Sequence, residues 1–225
     1  MNTPVERFGT KAPLETRLPA HEIIYRQLRD LVLFGDLAPG QPVTIQGLTE
    51  LLSAGMTPVR EALRRLIAEG ALEFQDNRRV CVPLLSADNI SELILARQWL
   101  DPHLTLLATQ RATLEDLETL KQMDEMLDEA IQQGDLQAYL RLNYQFHSRI
   151  YSIANAPILE DLADGLWLRF GPSLRVVCGR LGTQNLPDKH KDMLDAMHAR
   201  DAEAAARAIR EDVIQGMEQV RQSLE

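Results

Sequence analysis

The sequence predicts a mainly α-helical chain in two parts: three short helices closed by a small β-hairpin, then an antiparallel bundle of six or seven helices. Three observations carry this expectation. Aromatic residues make up only 5% of the 225 residues, and Leu and Ala dominate. Apolar positions between Pro19 and Gly70 recur at helical spacing and are punctuated by Gly and Pro. Two short runs, "ALEFQ" and "RRVCVP", flank the turn "DN", and after Pro83 the helical spacing resumes to the end.

The first helix lies between Pro19 and Gly35, where Ile23, Ile24, Leu28, Leu31 and Val32 fall at helical intervals; Gly35 and the "APG" at 38–40 end it. Thr44 is placed to cap a second short helix through Leu52, and "SAGM" forms the turn after it. Thr57 is expected to cap the third helix, with Pro58 at the first helical position, where its missing N–H is not needed. Gly70 stops that helix. Helix, helix, turn, helix, hairpin is the order of a winged helix-turn-helix, here assigned to residues 20–83 behind a flexible lead of residues 1–19. In residues 84–225, Ser86 and Thr113 read as caps, each with acidic residues in the turn that follows. Breaks at 132–135, 155–157, 180–188 and 199–201 then divide the chain into about six helices.

Composition bounds what the chain does. Hydrophobic residues at 45% and charged residues at 25% are ordinary for a soluble globular protein. No apolar run approaches the ~20 residues of a membrane span, and the amino end lacks the apolar core of a secretory signal. Cys81 and Cys178 lie far apart without a CxxC pattern, so reduced thiols in the cytoplasm are expected. The formal net charge of -9 argues against a nucleic-acid partner only as an average. Residues 1–83 hold 10 basic and 10 acidic residues, and the remainder holds 14 basic against 23 acidic. A neutral head on an acidic body fits a small DNA reader joined to a domain with another task.

The stretch "TPVREALRRL" is the centre of the DNA reading. Val59, Ala62, Leu63, Leu66 and Ile67 follow a helical stripe that packs inward, which leaves Thr57, Arg60, Glu61 and Arg64 on the outward face. A helix fits the major groove, where arginine bonds bidentately to guanine and neighbouring groups hold phosphates. Arg78 and Arg79 sit at the hairpin tip, where a wing reaches the DNA backbone or minor groove. A solvated arginine face is the plain alternative for any such helix in isolation. The preceding turn and the following hairpin favour the DNA reading.

In the helical part, Asn143 and His147 are four residues apart and share one helix face. His190 and Asp212 stand about ten residues on either side of the "ARD" turn, so two antiparallel helices bring them to one level. Imidazole and carboxylate are ligands of transition metals. A single helical histidine is more often a surface or hydrogen-bonded residue, and spacing by itself leaves both readings open.

"YRQLRDLVLFGDLAPGQPV", "GMTPVREALRRLIAEGAL" and "RRVCVP" resemble the DNA-binding domain of the GntR family of bacterial transcription regulators. The resemblance implies that Thr57 and Arg60 contact the operator. Met56 stands where many members carry a further arginine, so a different operator half-site is expected. Residues 86–222, with "ILARQWLDP", the FH of "NYQFH", "LWLRFGP" and "H…ARDAEAAARA", are similar to the all-helical FCD effector domain of the FadR-type branch. That resemblance implies a metal within the bundle beside a pocket for a small organic acid. The family pattern is an aspartate four before the FH histidine and then two histidines. Here the set is Asn143, His147, His190 and Asp212, with Zn²⁺, Ni²⁺ or Mn²⁺ as the ions considered. Arg97 matches the arginine of the first helix of such domains, and Arg169 and Arg175 flank "RFGPSLR"; all three are candidate cations for a carboxylate effector. His21, His103 and His198 match no motif, and Trp99 and Trp167 are expected in the core or the pocket wall.

The expected function is a non-enzymatic, metabolite-responsive transcription regulator, a repressor by the commonest family behaviour. It is expected to be a homodimer on a pseudo-palindromic, double-stranded operator, with a small carboxylate-bearing metabolite as effector. The alternative is a helical metalloenzyme that activates water with His147, His190 and Asp212. Against it, the sequence offers no general base within the motif, no Gly-rich phosphate loop and no nucleophile elbow.

Overall fold

The computed structural model describes residues 18–75, 79–181 and 189–222. The predicted lead of residues 1–19 falls almost wholly outside the described residues, as do Arg78 and most of the predicted break at 180–188. Within them, helix α1 (Ala20–Leu33) buries Ile24, Leu28 and Val32 against the rest of the amino-terminal unit. Gly35 follows in the left-handed region, at φ +69°, and turns the chain away from the helix axis. A two-residue strand β1 (Pro42–Val43) leads into α2 (Ile45–Leu51), whose cap is Thr44 as expected: its Oγ1 accepts from the Gly47 amide at 3.0 Å.

Helix α3 (Met56–Ala68) starts earlier than the sequence predicts. Its cap is Gly55, in extended conformation, and Thr57 makes no capping hydrogen bond. Thr57 and Pro58 therefore occupy the first turn. Pro58 is tolerated there because first-turn amides have no intrahelical acceptor to lose. Val59, Ala62, Leu63 and Leu66 turn inward, in the predicted phase. Strands β2 (Glu73–Gln75) and β3 (Arg79–Cys81) form the expected antiparallel hairpin, with Phe74 opposite Val80. The sheet has a third strand that the sequence did not reveal. β1 pairs with the other edge of β3, Val43 opposite Val80, in the order β1-β3-β2. Two residues are too few to show an alternation.

The second part consists, among the described residues, of α4 (Ala87–Arg111), α5 (Leu114–Gln133), α6 (Leu136–Ala154), α7 (Pro157–Leu181), α8 (Lys189–His198) and α9 (Ala202–Gln222). Ser86 and Thr113 cap α4 and α5 in reciprocal capping boxes with Asn89 and Asp116. Gly134, Asn155 and Arg200 take left-handed backbone at three of the predicted breaks. α4 packs against α9, α6 and α7, while α5 and α9 flank α8. Phe146, Ile150, Tyr151, Phe170, Leu104 and Met193 fill the centre. Trp167 is buried there, whereas Trp99, expected inside, is 72% exposed on α4. Its place on the outer face of the helix follows from phase, since Arg97 and Asp101 take the inward positions beside it.

The two parts meet along α1 and α7. Gly171 of α7 lies against the backbone of Leu33, and Phe34, at the end of α1, is buried edge-on to Tyr144 at 5.9 Å. Arg29 Nη2 donates to Tyr144 Oη at 3.3 Å, and that hydroxyl donates to Asp164 Oδ1 at 3.0 Å. The same helix also holds α3: Tyr25, one turn before Arg29, donates from Oη to the Glu69 carboxylate, and the Arg65 guanidinium covers the Tyr25 ring at 3.5 Å. One helix thus touches both α3 and the bundle.

Candidate DNA-reading face and ligand cavity

Packing of α3 against α1 and α2 decides which of its side chains face outward. Thr57, Arg60, Glu61 and Arg64 are exposed, and neither Arg60 nor Arg64 makes a hydrogen bond or ion pair among the described residues. Arg65 differs. It bonds Glu69 and Glu22, both at 3.0 Å, and its charge is spent within the fold. Arg79 is exposed at the start of β3. The result is an outward row of unneutralised guanidiniums on a helix whose first turn also presents free amides, with a hairpin beside it.

The second site is a cavity of about 230 Å³ inside the bundle. Arg97, Tyr139, Asn143, His147, His190 and Asp212 are among its lining residues. His147 from α6 and Asp212 from α9 approach to 3.3 Å, and His190 from α8 stands 3.6 Å from the other Asp212 oxygen. One atom from each of these three residues lies within 4.8 Å of the others. Sequence spacing placed His190 and Asp212 at one level, and they meet there. Asn143 lines the same cavity one turn before His147.

Electrostatics tie the cluster together. Burial lowers the pKa of His147 below the ordinary histidine value, against the pull of Asp212, and so favours the neutral imidazole that a metal needs. Burial alone would push Asp212 up, but the neighbouring His190 and His147, with Arg97, outweigh it and hold the carboxyl at about 2. His147 Nδ1 is buried without a hydrogen-bond partner among the described residues. Two imidazoles and one carboxylate converging from three helices fit a first-row divalent ion, whose bonds to such ligands are about 2.0–2.2 Å.

Arg97 is 4% exposed. Its Nε and Nη2 both donate to Asp101 Oδ2, and its guanidinium lies 4.6 Å from the ring centres of Trp167 and Phe170. Burial opposes its charge, but the Asp101 carboxylate more than compensates and raises its pKa. Arg169 and Arg175 are not brought to this cavity. Arg169 is exposed and its guanidinium abuts Gly70, while Arg175 packs on Gly35 and reaches the Phe34 carbonyl and Asp36. Both point from α7 towards the amino-terminal unit, because they lie off the phase that turns Trp167, Phe170 and Leu174 inward.

One residue of the site escaped the sequence reading. Asp124 of α5 is buried, with Oδ1 3.2 Å from His190 Nδ1. The signal was present: Asp124 interrupts the inward stripe Leu117, Leu120, Leu127 and Ala130. His21, His103 and His198 are exposed and stand apart from the cavity.

Comparison with known proteins gives a consistent picture. Residues 20–82 match the family described as bacterial regulatory proteins, gntR family, and residues 92–214 match the FCD domain. The HTH-type transcriptional regulator McbR of Escherichia coli (strain K12) is 29% identical over 84% of this chain and 86% of its own length. The HTH-type transcriptional repressor RspR of the same organism is 24% identical over 93% of this chain and 94% of its own. The solved structure of E. coli McbR/YncC superposes with a TM-score of 0.86 at 27% identity, covering 93% of this chain and all of that one.

Proposed function

This chain belongs to the GntR family of bacterial regulatory proteins, in the branch with an FCD domain, and from that premise we propose a repressor that leaves its operator when a small carboxylate-bearing metabolite fills the bundle cavity. It is a transcription regulator, as its relatives are. The observation that carries the DNA reading is the outward pair Arg60 and Arg64 on α3, without ion-pair partners among the described residues, with Thr57 in its first turn and Arg79 on the adjoining hairpin. Arg60 and Arg64 are assigned to base edges and phosphates of double-stranded DNA in the major groove, and Arg79 to the backbone beside it. A homodimer on a pseudo-palindromic operator matches two such helices to two half-sites. The protein works in the cytoplasm, where the DNA is.

In the effector domain, His147, His190 and Asp212 would hold a divalent ion, Zn²⁺, Ni²⁺ or Mn²⁺, with Asn143 beside them. Such an ion would supply a positive centre that attracts a carboxylate. Arg97 adds positive charge at the cavity wall, already partly neutralised by Asp101. A volume of about 230 Å³ suits a small acid and is below the range of drug-sized ligands. Relatives that are regulators, and a donor cluster lining a small cavity, support sensing over metalloenzyme catalysis.

Fluorescence anisotropy with DNA from upstream of the protein's own gene tests the reading. Specific, salt-dependent binding is expected. Arg60→Ala is expected to abolish specificity and lower the salt slope by about one. Unchanged affinity in that variant would remove α3 from the DNA interface.

A further inference from the structure

We infer that Asp124 is a positioning residue which fixes the tautomer and orientation of His190, and so makes His190 the anchoring imidazole of the donor cluster. The inference rests on the metal reading proposed above.

A carboxylate on an otherwise apolar inward stripe is tolerated only when it is hydrogen-bonded. Asp124 finds its partner 66 residues away, on α8. An ionised carboxylate only accepts, so the proton of His190 belongs on Nδ1 and the lone pair on Nε2. That nitrogen faces Asp212 Oδ1 at 3.6 Å, towards the point on which His147 Nε2 converges. The ring is also held in plane. Phe146 stacks on it with centroids 4.1 Å apart and planes inclined by 25°. The position of α8 does not depend on this one contact, because Lys191 pairs with Asp128 at 2.7 Å on the surface of the same two helices.

His147 lacks such support. Its Nε2 lies 3.3 Å from Asp212, while Nδ1 is buried without an acceptor among the described residues. To offer Nε2 to an ion, this ring must carry its proton on Nδ1, where no described residue receives it. The two imidazoles are therefore inequivalent ligands, and Asp124 is the reason. A carboxylate behind a ligating histidine both orients the ring and strengthens its basicity, and losing one typically weakens metal binding ten- to a hundredfold.

The experiment uses the full chain, with Zn²⁺ alone as probe in competition with a chromophoric chelator. The same samples, freed of metal, are read by ¹⁵N NMR of the histidine side chains. Asp124→Leu is expected to weaken Zn²⁺ binding ten- to a hundredfold and to release His190 from the Nδ1–H tautomer. Asp124→Asn keeps an acceptor oxygen and is expected to retain that tautomer with a smaller loss of affinity. Equal Zn²⁺ affinity in the Leu variant, or an Nε2–H tautomer of His190 in the unaltered chain, would overturn the assignment alone. Failure of the unaltered chain to take up Zn²⁺, Ni²⁺ or Mn²⁺ would overturn the metal reading and the assignment together.

Discussion

Gly171 and Leu33 stand so close that a Cβ built on the glycine would overlap the leucine carbonyl oxygen. A backbone atom cannot swing aside as the end of a side chain can. Gly171→Ala is therefore expected to push α7 off α1 and to destabilise the protein by roughly 1–3 kcal/mol, the usual range for overpacking. Gly165, six residues earlier on the same helix, has nothing within 4 Å of its would-be Cβ. Gly165→Ala should be neutral or gain up to about 1 kcal/mol of helix stability. Urea unfolding of the two variants side by side checks this, and equal stabilities would contradict the close docking.

Tyr144 joins the cavity to the reading unit. Its ring lies edge-on to Trp167 at 5.5 Å, and Trp167 is 5.1 Å from the His147 ring; its hydroxyl lies between Arg29 and Asp164. Tyr144→Phe keeps the ring contacts and removes the hydroxyl. A loss of about 1 kcal/mol in stability is expected. The variant should also show a smaller difference in operator affinity between Zn²⁺-loaded and chelator-treated protein than the unaltered chain does. Anisotropy titrations in the two conditions read that difference directly.

Asp116 carries a pH-dependent contribution. The Thr113 backbone and hydroxyl, with Arg149 at 2.5 Å, hold its carboxyl below the ordinary value of 3.8. A carboxylate depressed in the folded state contributes stability above its unfolded pKa and loses it as pH falls through the folded one. Asp116→Asn keeps an amide oxygen for the Thr113 N–H, as Asn89 does for Ser86, and removes only the charge, so it is expected to cost about 0.5 kcal/mol at pH 7. The gap should narrow as pH drops below 3.8. Denaturant midpoints at pH 7, 4 and 3 follow the trend.

The helical plan was readable because it depends on local chemistry: the stripe of α3, the capping boxes at Ser86 and Thr113, and the left-handed terminators are all written within a turn or two of sequence. Met56–Pro58 misled because Gly55 and Thr57 are both acceptable caps, and packing chose between them. His190 and Asp212 could be matched because equal distances from one tight turn fix the level of antiparallel helices. Asp124 could not be matched to His190 that way, since α5 and α8 are joined through other helices. Arg169 was separable from the cavity in principle. Two residues beyond Trp167 is about 200° around an α-helix, which is the far side.

The two residues of β1 give the amino-terminal unit a common mount. They leave α1 through Gly35 and pair with β3, so the hairpin is stitched to the chain emerging from the same helix that supports α3 through Tyr25 and Glu69. A tilt of that helix, imposed from the bundle through Arg29 and Phe34, carries the reading helix and the hairpin together. The expected response to a filled cavity is then wholesale disengagement from DNA, with little drift in which bases are preferred.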